Sequence, residues 1–209
     1  ELLRDVPKST KALPGRATSK FNLGINVIDY PTPQSVVFFT LQGIKRTDQN
    51  FFDAFIMNHI LGGGGFNSRL MKEIREKRGL TYSVSTSLTQ YDNAELYLGM
   101  FQSSNEKVSI AIDILKQELL NMAENGVSDE ELLGAKKFLI GAYPLRFDGN
   151  VRIAKILASM QFIGLRKDYI KSRNDKIRAV KSSDIALVAK KLLSFEDFTI
   201  VVVGKPEGL

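Results

Sequence analysis

The spacing of apolar residues changes period several times along this chain, and the order of those changes limits the fold to one broad class. "FNLGINVIDY" (21–30) alternates, with Phe21, Leu23, Ile25 and Val27 on one side and Asn22, Gly24 and Asn26 on the other. That is the pattern of a half-buried strand. "PTP" at 31–33 interrupts it, and "SVVFFTLQGI" follows as a more continuously apolar strand. Two strands so close in sequence suggest an antiparallel pair. Phe52, Phe55, Ile56, His59 and Ile60 then recur at helical spacing, with Asp48 as the expected N-cap. Four glycines at 62–65 end that helix. A second helix is predicted from Asn67 or Ser68 to Gly79, burying Leu70, Met71 and Ile74. Alternation returns over 80–88, where Leu80, Tyr82, Val84, Thr86 and Leu88 share a face, and "AELYLGMFQS" (94–103) reads as another strand. Asn105 opens a long amphipathic helix through Val108, Ala111, Ile112, Leu115, Leu119 and Met122, closed by Gly126. "SDEE" (128–131) is a capping box, with Ser128 as cap and Glu131 three residues on, and its helix runs to about Tyr143, before Pro144. Helical runs follow at roughly 150–163, 168–180 and 183–194, and "FTIVVVG" (198–204) is a final strand.

Adjacent strand pairs separated by groups of helices are not the strict alternation of a doubly wound parallel sheet. The order predicts an α+β fold with a largely antiparallel sheet covered by helices. Residues 1–20 are polar and basic, with Pro7, Pro14 and Gly15, and read as a linker or lead-in; 21–209 read as one domain. The chain starts at Glu1 rather than Met and reads as a fragment or a processed chain. No uncharged apolar run approaches the roughly 18 residues a membrane helix needs.

Composition removes several chemistries. There is no cysteine and one histidine, His59, so a zinc site built from His and Cys cannot be completed here. His59 lies on the apolar side of its helix and reads as a core or interhelical histidine rather than a ligand. The glycines at 62–65 suggest a phosphate cradle, but such a loop follows a strand and precedes a lysine. Here a helix precedes, and Phe66-Asn67-Ser68 follow. The glycines make a tight corner, either mobile or closely approached by another part of the chain. No G-x-S-x-G elbow marks a nucleophile. The whole net charge of +6 sits in residues 166–191, which carry nine Lys/Arg and three Asp/Glu. Without interleaved aromatic platforms or a groove-reading motif, that stripe reads as a solvated helical face rather than a nucleic-acid surface.

What remains is the junction "SRLMKEIREKRGLTYS" (68–83). Arg75 sits near the end of a short helix, Gly79 lets the chain reverse, and Tyr82 is expected just inside the next strand. Folding back at Gly79 brings a guanidinium and a phenol towards one another, a donor set suited to a backbone carbonyl or carboxylate. The same residues also fit a plain solvent-facing helix, supported by Lys72–Glu76 and Arg69–Glu73 pairs at i,i+4. The residues alone leave both readings open.

At these positions the sequence resembles a known family. "LGGGGFNSRLMKEIREKRGLTYSVS" (61–85) looks like the C-terminal domain of the pitrilysin/insulinase zinc metallopeptidases, which include the mitochondrial processing peptidase and the core proteins of the respiratory bc1 complex. "PTPQSVVFFTLQGIKR" before it, "DEELLGAKKFLIGAYPLRFD" after it and the closing "FTIVVVGKP" fit in the same order, so the resemblance covers about residues 20–206. It implies a sheet covered by helices, like the metallohydrolase domain of the mitochondrial processing peptidase, paired with a similar domain in a clamshell. Zinc is expected in that partner domain or subunit, through an H-x-x-E-H motif absent here, and no cofactor is expected on this chain. The family's Arg and Tyr, seven residues apart, hold the substrate backbone; Arg75 and Tyr82 have that spacing. The glycine-rich loop handles substrate in some relatives, which makes Gly62, Gly63, Gly64 and Gly65 a candidate substrate-facing loop.

Two architectures satisfy the resemblance: a zinc-less subunit paired with a zinc-bearing one, or the second domain of a chain whose first half carries zinc. "YPLRFD" is closer to the zinc-less partners. No catalysis is expected from this chain alone. The expected partners are a zinc-bearing homologous domain or subunit and a peptide substrate, with no nucleic acid and no membrane span. The alternative is a structural or assembly module like the respiratory core proteins. Bacterial pairs of this type often carry export signals, which points to the periplasm without assigning it.

Overall fold

The computed structural model describes residues 12, 15, 17, 20–91, 93–194 and 198–209, so most of the expected 1–20 lead-in lies outside the described residues. Five strands form one mixed sheet: β1 (Gly24–Asp29), β2 (Gln34–Gln42), β3 (Val84–Gln90), β4 (Glu95–Ser104) and β5 (Thr199–Gly204), in the order β1-β5-β2-β4-β3. Among the described residues six α-helices accompany it: α1 (Phe51–Asn58), α2 (Val108–Asn125), α3 (Asp129–Gly141), α4 (Asn150–Phe162), α5 (Tyr169–Ala179) and α6 (Ser182–Leu192). Every pairing but one is antiparallel. This is the α+β layer expected from the order of periodicities.

The exception corrects the sequence reading. β1 and β2 are not paired; β5 lies between them, parallel to β1 and antiparallel to β2. The reason lies in β5 itself. "TIVVVG" is apolar on successive residues, so it suits a central position with neighbours on both sides. The Pro31–Pro33 break carries the chain across a gap one strand wide. There Asn105 donates its side-chain amide to the Thr32 carbonyl at 2.9 Å and accepts from the Ser35 hydroxyl at 2.7 Å. Local sequence cannot reveal a partner about 175 residues away.

The core lies on one face of the sheet. Val37, Phe39 and Leu41 of β2, Tyr97 and Phe101 of β4, and Ile200 and Val202 of β5 are buried with the apolar stripes of α1, α2 and α6. The opposite face is apolar but open: Phe38 is 49% and Met100 is 40% exposed. Phe39 pairs with Gly99 in the β2–β4 register, and its ring occupies the space a Cβ at Gly99 would need.

Several local expectations change. Asp48 does not cap α1; its carboxylate accepts the Asn50 N–H at 2.9 Å, and the helix begins at Phe51. The Ser128–Glu131 capping box forms as expected, with its two reciprocal bonds at 3.2 and 2.9 Å. The basic stripe occupies α5 and α6 and is not wholly solvated. Arg173 is only 6% exposed, its guanidinium 4.1 Å from the centre of the Tyr143 ring.

The Phe39–Gly99 pairing predicts that Gly99→Ala forces the ring aside and costs about 1–3 kcal/mol. Urea unfolding checks this: the midpoint should fall with an unchanged m-value.

Candidate substrate-holding groove

The candidate site grows from the glycine corner. α1 does not stop at Asn58 but loosens into π winding over His59–Gly63. A single 3-10 turn follows (Gly65–Asn67), then the short helix carrying Arg69 and Leu70, which is π-wound over Met71–Glu76. Such widened turns recur at functional sites. The glycines serve different needs. A Cβ at Gly62 would stand 2.5 Å from Thr86 Oγ1 of β3, and one at Gly64 would stand 2.5 Å from the His59 carbonyl. At Gly63 a Cβ would collide with the Asn58 amide, which itself accepts from Thr86 Oγ1 at 2.8 Å. Gly65 has open space but a φ of +63°, where a side chain is strained. Close approach, one of the two openings the sequence left, accounts for Gly62, Gly63 and Gly64; Gly65 answers to a third requirement, its backbone conformation. Gly62 is buried against the sheet, while Gly63 and Gly65 are exposed.

At the other end of this helix, Gly79 takes a φ of +60°. Its N–H bonds the Arg75 carbonyl and the Leu80 N–H bonds the Ile74 carbonyl, both at 2.9 Å. These closures span one residue more than the usual glycine cap, as π winding requires. Ser103 then pins the reversed chain by donating to the Leu80 carbonyl at 2.6 Å. β3 starts only at Val84, so Tyr82 is not inside the strand as expected. Leu80, Val84 and Thr86 are buried as the alternation predicts, but Tyr82 is 86% exposed. Between them the Thr81 hydroxyl bonds the Ser83 carbonyl at 2.8 Å, holding the loop in which Tyr82 turns outward.

Arg75 and Tyr82 line one open groove of about 420 Å³, together with Gln34, Gln102, Ser104 and Lys107. The two side chains flank the groove without a hydrogen bond between them. Arg75 instead lies over the ring of Phe66, 4.7 Å from its centre, which ties it to the glycine corner. Among the described residues it has no carboxylate partner. Sequence reasoning missed Phe66 and Gln102; nothing in the local pattern marks an aromatic after four glycines as a platform for an arginine nine residues on.

The residues present do not fit a zinc ion. Among the described residues no three His, Cys, Asp or Glu side chains converge. His59 stacks on Phe138 of α3, ring centres 5.2 Å apart, and burial pushes its imidazole pKa down. It is an interhelical histidine, as its position suggested.

Comparison with known proteins decides the family. Residues 1–139 match the model of the peptidase M16 inactive domain. The chain belongs to this family. An uncharacterized zinc protease of Streptomyces coelicolor is 28% identical over 180 residues, covering 86% of this chain and 39% of that protein. A non-peptidase homolog of Helicobacter pylori is 28% identical over 174 residues, covering 83% of this chain and 40% of that protein. The crystal structure of a peptidase M16 inactive domain from Pseudomonas fluorescens superposes with a TM-score of 0.84 at 28% identity, covering 96% of this chain and 47% of that one. The chain therefore spans less than half the length of the curated relatives named here.

In this M16 inactive domain the Arg75 helix is anchored at its start by a long-range clamp. Arg69 donates to both Glu131 oxygens, at 2.6 and 2.7 Å, and to the Gly126 carbonyl at 2.9 Å. Neither i,i+4 pair expected from sequence forms: Arg69 goes to α3, and Glu73 pairs with Lys77 at 2.5 Å and Arg78 at 2.7 Å. The Glu73–Arg78 spacing of five suits π winding. The Arg69 guanidinium and the capped Ser128 hold the Glu131 carboxyl down at about 2. A folded-state value below the ordinary 4.5 contributes stability above that value and loses it as pH falls towards 2. Between about pH 5 and pH 2.5, Glu131→Gln should therefore lose less stability than the unsubstituted chain. Parallel urea midpoints for the two would contradict this. Dialysis against zinc should leave less than one tightly held equivalent, measured by elemental analysis; stoichiometric zinc would overturn the assignment of His59.

Proposed function

We propose that this domain holds a peptide substrate in the Arg75–Tyr82 groove and completes the active site of a zinc-bearing M16 partner domain or subunit. The supporting observation is the placement of Tyr82, fully outward on the rim of a groove that also contains Arg75, where strand alternation would have buried it. Exposing an aromatic ring forgoes burial of a large apolar area. A ring that receives substrate accounts for that arrangement.

The chemistry follows from the donors. Among the described residues Arg75 forms no ion pair, although Glu76 also lines the groove, and its guanidinium lies over the Phe66 ring. It is suited to donate to a substrate carbonyl. Tyr82 adds a phenolic donor beside an apolar ring face, which orients the chain and meets developing negative charge on the substrate oxygen. The exposed glycines at 63 and 65 adjoin Phe66, the ring that Arg75 lies over, and in this reading face the substrate; Gly64 is half-buried, and Gly62 spaces the corner from β3. In this reading the metal is the partner's; among the described residues no group of His, Cys, Asp or Glu converges to hold one.

A second reading is a catalytically silent structural module. It is favoured by one relative, the Helicobacter pylori protein named a non-peptidase homolog. The two readings separate on the assembled protein. Arg75→Ala and Tyr82→Phe should each lower peptide cleavage by about 10²–10³, the usual loss for a transition-state donor. Near-normal turnover in both variants would reject the substrate role. No turnover before substitution, in an assembly whose zinc site is intact and occupied, would favour the structural module.

A further inference from the structure

A second cavity, sharing no lining residue with the groove, lies between α4, α5, α1 and the Pro144–Phe147 turn, with a volume of about 380 Å³. That is within the range of about 300–1,000 Å³ found for small-molecule sites. Its lining contains five cations, Arg46, Arg146, Arg152, Lys155 and Arg173, and no carboxylate. None of the five forms an ion pair among the described residues. The remaining wall is largely apolar, with Phe55, Ile156, Met160 and Leu165.

Cations gathered around an apolar space without counter-charges repel one another; Arg146, Arg152 and Lys155 stay exposed, while half-buried Arg46 and buried Arg173 also lose hydration. Arg173 is the most exposed to this cost. It is buried, stacks on Tyr143, and donates from Nη1 to the Leu139 carbonyl at 3.1 Å and to the Asn174 side-chain oxygen at 3.0 Å. Arg46 lies over Phe51 at 4.1 Å and bonds the Tyr169 hydroxyl. Burial lowers the pKa of both guanidinium groups. α4, which supplies Arg152 and Lys155, carries one buried residue, Met160, so it is held only along its edge.

We infer that this cavity binds a small amphiphilic anion, a carboxylate or phosphate head joined to an apolar body. The head is matched by the guanidinium groups, whose planar donors suit both oxyanions. The body fills the apolar wall and draws α4 onto the domain. Calorimetric titration of the chain tests this with decanoate, decyl phosphate, decyltrimethylammonium, decanol and acetate. One equivalent of decanoate or decyl phosphate should bind, and which binds more tightly identifies the head. Decyltrimethylammonium, decanol and acetate should bind at least about tenfold more weakly. Arg152→Gln combined with Lys155→Gln, both on the outer helix, should weaken the anions about tenfold while leaving the urea midpoint of the empty chain unchanged or raised. Equal binding of the cationic and anionic decyl compounds, unchanged anion affinity in the double variant, or no anion binding would each overturn the site.

Discussion

The close approach of the Gly62 backbone to Thr86 is the contact on which the site depends. It brings the end of α1 down onto β3 at a distance that excludes a Cβ. The Asn58 amide oxygen accepts the Thr86 hydroxyl and fixes the same approach from the preceding turn. The wider winding that follows turns the chain through the glycine corner and starts the next helix beside α3, where Arg69 meets Glu131. Arg75 then falls above Phe66, and the Gly79 reversal sets Tyr82 on the rim. One local constraint, a helix end without side chains, thus positions a guanidinium and a phenol that lie on different elements.

Much of the fold is legible in the sequence because burial has a period. The helices from 108 to 192 and the strands at 34–42, 95–104 and 199–204 follow from apolar spacing and caps, though a turn at 105–107 delays the first helix past the expected Asn105, and the capping box at Ser128 appears with both its bonds. What the sequence does not disclose is pairing at a distance. The insertion of β5 between β1 and β2 depends on residues about 175 apart, and the Arg69–Glu131 clamp joins residues 62 apart. The π winding is hidden for another reason. Lys72, Glu73, Glu76 and Lys77 satisfy an i,i+4 pattern equally well, so charge spacing does not distinguish the wider turn.

The site shows the same division. The Arg75–Tyr82 spacing marks a segment whose two residues line one groove, but alternation predicts a buried Tyr82, and the opposite orientation is what gives the residue its interest. The departure begins where Thr81 bonds Ser83 locally and delays the strand to Val84. A candidate site residue here stands out by where it breaks the pattern of its neighbours. The glycines show the complement: four identical residues that read as one motif meet separate local requirements, and only part of the loop faces outward.

The central claim is that Tyr82 touches substrate. Its most direct test replaces Tyr82 with a photoreactive benzoyl-phenylalanine in the assembled protein, with the exposed Tyr91 of the β3–β4 turn as the control position. On illumination with a bound peptide, the account predicts covalent capture of the peptide at position 82 and background labelling at position 91. Equal labelling at the two positions, or none at 82 while cleavage proceeds, would contradict it.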